Sequence, residues 1–250
     1  METLRSYSQS GEDLLLAQIF GDAKGVIVDV GAHDGVHLSN SYLLETRGWD
    51  CVLVEPNPQL FQRVLENRKA KAYCCAATSK DGEVVFHLSP DADAFSTIEL
   101  TEENSRKFEG MNAHVEETVV RGRRLDSILE ESGISKVDVV SIDVEGHEPA
   151  VFSGFTVSRW KPRVFIVEGN TTSETRQITQ LLGRHGYVRF HRSGCNDWYA
   201  RKDDHKLASA SARFRTSLTD AKRSTKNVLK MVLPLSVRKF LRRQVLAPVG

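Results

Sequence analysis

The chain has 250 residues, of which 40% are hydrophobic and 27% charged, with a formal net charge of +1. A chain of this length and composition can bury a full core, which excludes the disordered and fibrous classes. No apolar run approaches the roughly 18 residues that a membrane span needs, and the N-terminal segment lacks the apolar core of a signal peptide, so we expect a cytoplasmic protein.

Short apolar runs alternate with amphipathic stretches along most of the chain. Residues 7–20 carry Ser8 and Ser10, then two acids and apolar residues at helical spacing, which predicts a helix capped by one of the serines. Runs rich in β-branched residues predict buried parallel strands at 25–30, 51–56, 71–77, 137–143 and 163–169. Helical spacing predicts helices between them at 38–48, 59–68, 125–133 and 148–154.

Later elements complete the pattern. Residues 82–89 predict an added strand, 173–186 a last helix, and 187–192 with 197–202 a pair of strands. This order predicts an α/β fold with a doubly wound, mostly parallel sheet that ends in an antiparallel C-terminal hairpin. The acidic stretch 88–110 has no strong period, and we expect a loop or partial helix over the site.

Charge is divided unevenly along the chain. Residues 201–250 hold 13 Lys and Arg against 3 Asp, whereas the first 200 residues hold 21 Lys and Arg against 30 Asp and Glu. This shift predicts a domain at 1–200 and a basic, partly amphipathic helical extension at 201–250. Within it, residues 235–246 place apolar side chains on one helical face. That pattern suits an anionic surface on the inner side of a membrane, a nucleic acid, a second copy of the chain, or packing on the chain's own domain.

Four carboxylates fall at or near the ends of predicted strands, namely Asp29, Glu55, Asp143 and Glu168. Ligands of a doubly wound sheet bind outside the carboxyl ends of its strands. We therefore expect these side chains to meet at one rim.

The segment "VDVGAHDG" (28–35) joins the first strand to a glycine turn. Gly31 and Gly35 permit close approach of a ligand, and the helix predicted to follow would aim its N-terminus there. The spacing is not the G-x-G-x-x-G of a dinucleotide site. Asp29 disfavours a pyrophosphate and suits an ammonium, while Glu55 can accept hydrogen bonds from ribose hydroxyls. Together they predict a ligand with a ribose and a cationic amine but no phosphate, which is the chemistry of S-adenosylmethionine.

Seven motifs in this order resemble those of the FkbM-type S-adenosylmethionine-dependent methyltransferases. They are "YSQSGEDLLL", "DVGAHDGVHLSNSYLLE", "LVEPNP", "LDSIL", "VVSIDVEGHEPAVFSG", "IVEGN" and "NDWYAR", and the resemblance covers residues 5–200. It implies a class I (Rossmann-like) methyltransferase fold. It also implies methyl transfer, usually to a hydroxyl of a sugar, glycan or secondary metabolite.

The resemblance also assigns cofactor contacts. Asp29 and Gly31 match the positions that hold the methionine portion, and Glu55, followed by Pro56, matches the ribose ligand. Ala77 lies in the segment that borders the adenine. His33 stands where classical methyltransferases often carry a second glycine, and we expect it to be a spectator. The remaining candidates for cofactor or substrate contacts are Tyr7 and Gln9 at the N-terminus and Ser96 and Thr97 in the acidic stretch.

Methylation of an alcohol needs an aligned acceptor and a base that takes its proton. Asp143 is expected at the strand tip, where it can orient the cofactor amine and the nucleophile. Glu145 and His147 are the candidate bases, the histidine because its unperturbed pKa of about 6.5 suits neutral pH. Glu168 is a candidate acceptor for a substrate hydroxyl. Asp143, Glu145 and Glu168 are also hard ligands of the kind that Mg²⁺ prefers, although their spacing does not require the ion.

The acceptor is expected to be a small molecule or a glycan. A methyltransferase acting on nucleic acid, anchored by the basic extension, is the first alternative, and the acidic body argues against it. A non-catalytic binding protein on the same fold is the second. A nicotinamide-dependent dehydrogenase comes last because the glycine pattern does not fit it.

Overall fold

The structure is a computed structural model that describes residues 5–89, 96–98, 105, 109, 114–169 and 171–209. Most of the predicted loop at 88–110 and nearly all of the basic extension, including the predicted helix at 235–246, lie outside the described residues. In the part of the chain that is described, none of the helices has both the length and the apolar composition to cross a membrane.

The strands are β1 (Val26–Val30), β2 (Asp50–Val54), β3 (Lys71–Tyr73), β4 (Ala76–Ala77), β5 (Gly82–Leu88), β6 (Glu116–Arg123), β7 (Val139–Ile142), β8 (Val164–Glu168), β9 (Tyr187–Ser193) and β10 (Asn196–Arg201). The helices are α1 (Glu12–Phe20), α2 (Tyr42–Thr46), α3 (Pro58–Asn67), α4 (Leu125–Glu131), α5 (Glu148–Ser153), α6 (Val157–Trp160) and α7 (Thr172–Arg184).

The main sheet has the strand order β3-β2-β1-β7-β8-β10-β9. Its first five strands are parallel, whereas β10 pairs antiparallel with both β8 and β9. The predicted doubly wound sheet with an antiparallel C-terminal hairpin is therefore confirmed. Strand β10, the last along the described part of the chain, lies inside the sheet, between β8 and β9. A second, three-stranded sheet has the order β4-β6-β5.

Helices cover both faces of the main sheet, which explains why its inner strands are apolar throughout. Along β1, Val28 and Val30 face the core cluster that includes residues of α4, α5, α6 and α7. Ile27 faces the cluster that includes residues of α1, α2 and α3. The pleat consequently directs Asp29 to the same side as Ile27.

Two predicted helices differ in extent from the structure. In place of a helix at 38–48, residues 31–41 form irregular turns and α2 is a single turn that starts at Tyr42. No helix N-terminus therefore follows the Gly31–Gly35 turn directly. The first helix begins at Glu12, and its N-cap is Gly11 in a left-handed conformation, without a side-chain capping bond. Neither predicted serine is the N-cap residue, but Ser8 Oγ accepts a hydrogen bond from the N–H of Asp13 in the first turn (3.3 Å).

Two strand predictions also need correction. The predicted strand 71–77 is divided, because β3 pairs with β2 in the main sheet while β4 pairs with β6 in the second sheet. Strand β6 and helix α6 were not predicted. Without β6 the second sheet could not be predicted. The predicted strand 82–89 corresponds to β5, an outer strand of that sheet.

Candidate active site

A cleft of about 360 Å³ lies at the carboxyl ends of β1, β2, β7 and β8. This is the edge at which doubly wound sheets bind ligands, and the volume lies in the range of small-molecule sites. The β2 side of the cleft, together with the second sheet, is mostly apolar. Its lining there consists of Val30, Val54, Pro56, Leu60, Ala76, Ala77, Phe86 and Ile98.

The other side of the cleft carries carboxylates and amides. Asp143, Glu145 and Glu168 line it and offer oxygens that all lie within 4.8 Å of one another. This side lies at the ends of β7 and β8, and Asn196 of β10 pairs in register with Glu168. Three of the four carboxylates predicted to meet at the rim, Glu55, Asp143 and Glu168, do line the same cleft.

The carboxylate cluster perturbs the protonation of Glu168. This side chain is 7% exposed, and its Oε2 has no hydrogen-bond partner among the described residues. Burial raises the pKa of Glu168 well above its ordinary value, and the negative charges of Asp143, Glu145 and Glu148 raise it further. A buried carboxyl group whose pKa is raised by its surroundings is typical of an acid or base in an active site.

Glu148 organises the loop that carries Glu145. Its Oε1 accepts hydrogen bonds from the backbone N–H groups of Val144 (3.4 Å) and Gly146 (3.2 Å). Glu145 lies between these two residues with a left-handed backbone, φ 52°, which is uncommon for a residue with a side chain. Burial raises the pKa of Glu148 to about 7. The motif that carries the family resemblance includes Glu148, but the sequence analysis did not name it as a candidate catalytic residue.

The two ends of β1 and β7 are in direct backbone contact beside the cleft. A Cβ placed on Gly31 would lie 1.9 Å from the carbonyl oxygen of Asp143, and Gly31 has φ +87°. Gly31 is therefore required both by its conformation and by the closeness of the neighbouring loop. Gly31 also lines the cleft, as the predicted ligand contact requires, although the atom that a Cβ there would meet belongs to the protein's own chain.

Glu55 fixes the shape of the β2 side of the cleft. Its Oε2 accepts a hydrogen bond from the N–H of His33 (2.9 Å), and its Oε1 accepts one from the N–H of Asn57 (2.8 Å). Glu55 also lines the cleft, so its carboxylate borders the space that a ligand would occupy. His33, expected to be a spectator, also lines the cleft and adopts φ 53°, the conformation that a glycine takes more readily.

Asp29 does not line the cleft, in contrast to the predicted contact with the methionine ammonium. The pleat of β1 directs it to the opposite side, where it is 5% exposed. Burial raises its pKa, although hydrogen bonds from Ser41, Ser141 and Ser39 and the charge of Arg68 oppose this shift. The carboxylate therefore lies in a buried polar cluster beneath the 31–41 turn and supports the turn from behind.

Two further candidates also lie outside the cleft lining. The Nε2 of His147 is 3.1 Å from Thr78 Oγ1, and the residue is 6% exposed. Tyr7 packs edge-on against Tyr42 at a ring distance of 4.7 Å, and its N–H donates to Asp13. His147 and Tyr7 therefore contact side chains other than those of the three clustered carboxylates. The two candidates from the acidic stretch differ in position. Ser96 lines the cleft, whereas Thr97 Oγ1 donates a hydrogen bond to the carbonyl of Glu145.

A buried acid near the N-terminus builds one wall of the cleft. Glu12 Oε1 accepts hydrogen bonds from Ser193 Oγ (2.7 Å) and Asn196 Nδ2 (3.1 Å), and its Oε2 accepts one from the N–H of Ser10 (2.7 Å). These bonds join the segment before α1 to the end of the C-terminal hairpin, and Gln9 and Asn196 from these two segments both line the cleft. The sequence analysis explained Glu12 as an ordinary first-turn acid, whereas the structure buries it completely.

Comparison with known proteins adds a family to this geometry. The sequence profile described as "Methyltransferase FkbM domain" matches residues 29–189. The hexuronic acid methyltransferase AglP of Haloferax volcanii is 28% identical over 162 residues, which are 63% of this chain and 61% of AglP. The 2-O-methyltransferase NoeI of Sinorhizobium fredii is 27% identical over 158 residues, 57% of this chain and 62% of NoeI. The matches thus span about three fifths of each relative.

A solved structure supports the fold. The FkbM methyltransferase from Methylobacillus flagellatus superimposes with a TM-score of 0.50 at 14% identity, over 78% of this chain and 48% of the other. The sequence profile covers more than half of the chain, and it begins at Asp29 in β1 and ends within β9. The chain belongs to the FkbM family of methyltransferases.

Proposed function

We propose that the chain is an S-adenosylmethionine-dependent O-methyltransferase that acts on a hydroxyl of a sugar, glycan or related small metabolite. The observation that carries the proposal is the division of the cleft. An apolar slot that ends at Glu55 adjoins a cluster of three carboxylates. A slot of this kind suits an adenosine, and an anionic cluster suits a cation.

The lining fits the cofactor group by group. Glu55 can accept hydrogen bonds from the ribose hydroxyls, and Ala77 and Pro56 offer apolar surface to the adenine. Gln9 and Asn40, also in the lining, are neutral amides suited to the amino-acid portion. When bound, the cofactor supplies an electrophilic methyl group on a cationic sulfur. Asp29 does not contact the cofactor in this arrangement. It belongs to the buried polar cluster that supports the 31–41 turn.

Glu168 is the group that we assign to the acceptor proton, with Asp143 as its partner. Burial raises the pKa of Glu168 and the negative charge of Asp143 raises it further, which favours uptake of a proton by this carboxylate. Glu145 completes the cluster and helps to orient the acceptor hydroxyl. We do not assign His147 a role as base, because its Nε2 faces Thr78 rather than the cluster.

The relatives support a saccharide acceptor. One is named a hexuronic acid methyltransferase and the other a 2-O-methyltransferase. The neutral amides Gln9 and Asn196 beside the carboxylates are side chains that pair readily with sugar hydroxyls.

The three clustered carboxylates are also a candidate site for a divalent cation. Asp143, Glu145 and Glu168 are hard ligands close enough to share an ion such as Mg²⁺. The proposed proton transfer does not need the ion, because burial and like charges already tune Glu168. Methyl transfer that persists in excess EDTA would show that the ion is dispensable.

We also propose that the basic extension, residues 201–250, determines where the protein is located in the cell. Residues 201–250 carry 13 Lys and Arg against 3 Asp, a balance that favours contact with an anionic membrane surface. Cosedimentation of the full chain with anionic but not neutral vesicles would support a peripheral position at the inner membrane surface. Sedimentation velocity of the same material would show whether the extension instead joins two copies of the chain.

The central test is calorimetry followed by transfer. The purified chain is expected to bind S-adenosylmethionine with micromolar affinity and to transfer labelled methyl groups to members of a saccharide panel. A chain that binds neither the cofactor nor its demethylated product would refute the proposal.

A further inference from the structure

We propose that Asn196 binds a second hydroxyl of the acceptor, next to the hydroxyl that is methylated, and that Glu12 sets the orientation of its amide. The acceptor class is therefore a vicinal diol, a molecule with hydroxyls on neighbouring carbons. The inference rests on the proposed function and specifies the acceptor within it.

The position of Asn196 places it opposite the proposed base. It begins β10, lines the cleft and is 3% exposed. It pairs in register with Glu168 on the antiparallel neighbour β8. Residues directly opposite each other on antiparallel strands point to the same face, with Cβ atoms about 4.5–5.5 Å apart. Hydroxyls on neighbouring carbons can therefore contact the two side chains at the same time.

The amide of Asn196 is oriented by a buried acid. Its Nδ2 donates to Glu12 Oε1 (3.1 Å). Glu12 is completely buried and does not line the cleft. A carboxylate only accepts hydrogen bonds, so the nitrogen and not the oxygen of the amide must face Glu12. The amide oxygen, Oδ1, is then the end of the group that faces the cleft, where it accepts from a donor such as a hydroxyl.

Further hydrogen bonds hold the Glu12 carboxylate in place. Its Oε1 also accepts from Ser193 Oγ (2.7 Å), and its Oε2 accepts from the N–H of Ser10 (2.7 Å). Ser193 in turn accepts from Nε1 of the fully buried Trp198 (2.9 Å). All of these bonds are directed toward the carboxylate. The Asn196 amide consequently cannot turn by half a rotation without bringing its oxygen against a carboxylate oxygen.

Gln9 adds a donor to the same wall. The thiol of Cys195, the residue before Asn196, donates to Gln9 Oε1 (3.2 Å). Burial raises the pKa of Cys195 to about 12, so the thiol keeps the proton that it donates. Gln9 lines the cleft, and its Nε2 can donate there. A hydroxyl matches such a wall because it donates and accepts, whereas a methoxy group only accepts and a C–H group does neither.

The test compares acceptors that differ in one hydroxyl. Labelled S-adenosylmethionine is supplied with methyl glucoside, galactoside and mannoside and with the corresponding uronic acids, and NMR locates the methylated position. Each accepted sugar is then compared with two analogues at each neighbouring carbon, one deoxygenated and one O-methylated. At one neighbouring carbon, both changes are expected to lower kcat/KM about tenfold, because neither analogue can donate to Asn196. A limit of space alone would reject only the O-methylated analogue.

A first variant assigns this discrimination to Asn196. Asn196→Ala removes the acceptor atom, so kcat/KM of the deoxygenated analogue is expected to approach that of its parent sugar. The ratio of the two cancels any general loss of activity in the variant. The affinity for S-adenosylmethionine is expected to change only a few-fold. Glu66→Gln, at an exposed acid of α3 that does not line the cleft, should leave the ratio unchanged.

A second variant tests Glu12 as a positioning residue. In Glu12→Gln, the backbone N–H of Ser10 cannot reverse and retains the oxygen of the new side chain. The new NH₂ group then faces Asn196, whose amide reverses and presents its own NH₂ group to the cleft. The O-methylated analogue can accept from that group, so its kcat/KM relative to the parent sugar is expected to rise several-fold. A merely structural role of Glu12 would lower all rates without this change in ratio.

The outcomes separate the two proposals. Methyl transfer that is indifferent to deoxygenation at both neighbouring carbons overturns the inference and leaves the methyltransferase proposal standing. So does a wild type that accepts the O-methylated analogue but rejects the deoxygenated one, or an O-methyl ratio that is unchanged in Glu12→Gln. A loss of cofactor affinity in Asn196→Ala as large as its loss of kcat/KM would place the amide on the cofactor and overturn it too. Cofactor binding without transfer to any sugar of the panel refutes the proposed saccharide function, and the inference with it.

Discussion

The carbonyl oxygen of Asp143 occupies the space in which a side chain at Gly31 would begin, 1.9 Å from the ideal Cβ position. The two residues follow adjacent parallel strands, and the N–H of Asp143 donates to the carbonyl of Val30 (3.0 Å). The cofactor side and the catalytic side of the cleft are thus joined by backbone atoms. A change at either residue is expected to disturb both sides.

Gly31→Ala is expected to abolish cofactor binding and to lower the free energy of unfolding by about 3 kcal/mol or more, because it adds a backbone clash to an unfavourable φ. Gly133→Ala is the matched control, since Gly133 also has a positive φ (+69°) but nothing within 4 Å of the added atom. Urea unfolding and calorimetry measure the two effects. Equal losses in both variants would contradict the role of the Asp143 contact.

Glu55→Gln keeps the shape of the side chain but places an NH₂ group against one of two backbone donors, His33 or Asn57. The free energy of unfolding is expected to fall by about 2 kcal/mol, since hydrogen bonds to a charged acceptor are lost. The affinity for S-adenosylmethionine is expected to fall more than about tenfold. Asp50→Asn, at the exposed start of β2, serves as the control. Unchanged cofactor affinity in Glu55→Gln would argue against a ribose contact.

Glu168→Gln tests the proposed base. The kcat for methyl transfer is expected to fall by a factor on the order of 100 to 10,000, while the cofactor affinity changes only a few-fold. Because the pKa of Glu168 is raised, its basic form is lost as the pH falls through that raised pKa, and the wild-type rate should fall with it. The variant should lose this acidic limb. A variant with the wild-type pH profile would assign the proton to another group.

Glu148 makes stability depend on pH. Its pKa is raised from 4.5 to about 7 by burial, so its contribution is fully present below pH 4.5 and is lost as the pH rises through about 7. The loss is on the order of 3 kcal/mol. Glu148→Gln can still accept from Val144 and Gly146, and it is expected to be more stable than the wild type at pH 8 but not at pH 4.5. Urea unfolding at both values checks this, with Glu66→Gln as the control. Parallel pH dependence of Glu148→Gln and the wild type would contradict it.

The sequence predicts the parts of this fold that depend on local pattern. The buried parallel strands are apolar on both faces, and the elements occur in the order that a doubly wound sheet needs, so the sheet and its carboxyl edge could be inferred. Gly31, Glu55, Asp143 and Glu168 follow from that edge. Asp29 does not, because a one-residue step along β1 reverses its direction, and the reversal depends on which face the 31–41 turn covers.

Other features depend on contacts that are distant in sequence. The helix predicted at 38–48 begins only at Tyr42, and Arg68 holds the preceding irregular turns by donating to the carbonyl of Gly35 and to Ser41. From the sequence, Glu12 is interpreted as an ordinary first-turn acid. Its hydrogen-bond partners, Ser193 and Asn196, lie more than 180 residues later in the chain, so local pattern does not reveal them. No local periodicity could reveal either arrangement.

The bonds of Glu12 have a consequence for synthesis of the chain. The wall of the cleft that holds Gln9 is completed by Asn196 of β10, the last of the described strands to be made, which inserts between β8 and β9. A nascent chain that has passed β8 already has the strands on which the apolar slot and the carboxylates lie, but not their closing wall. On the ribosome, the cleft therefore closes only after Asn196 has been translated.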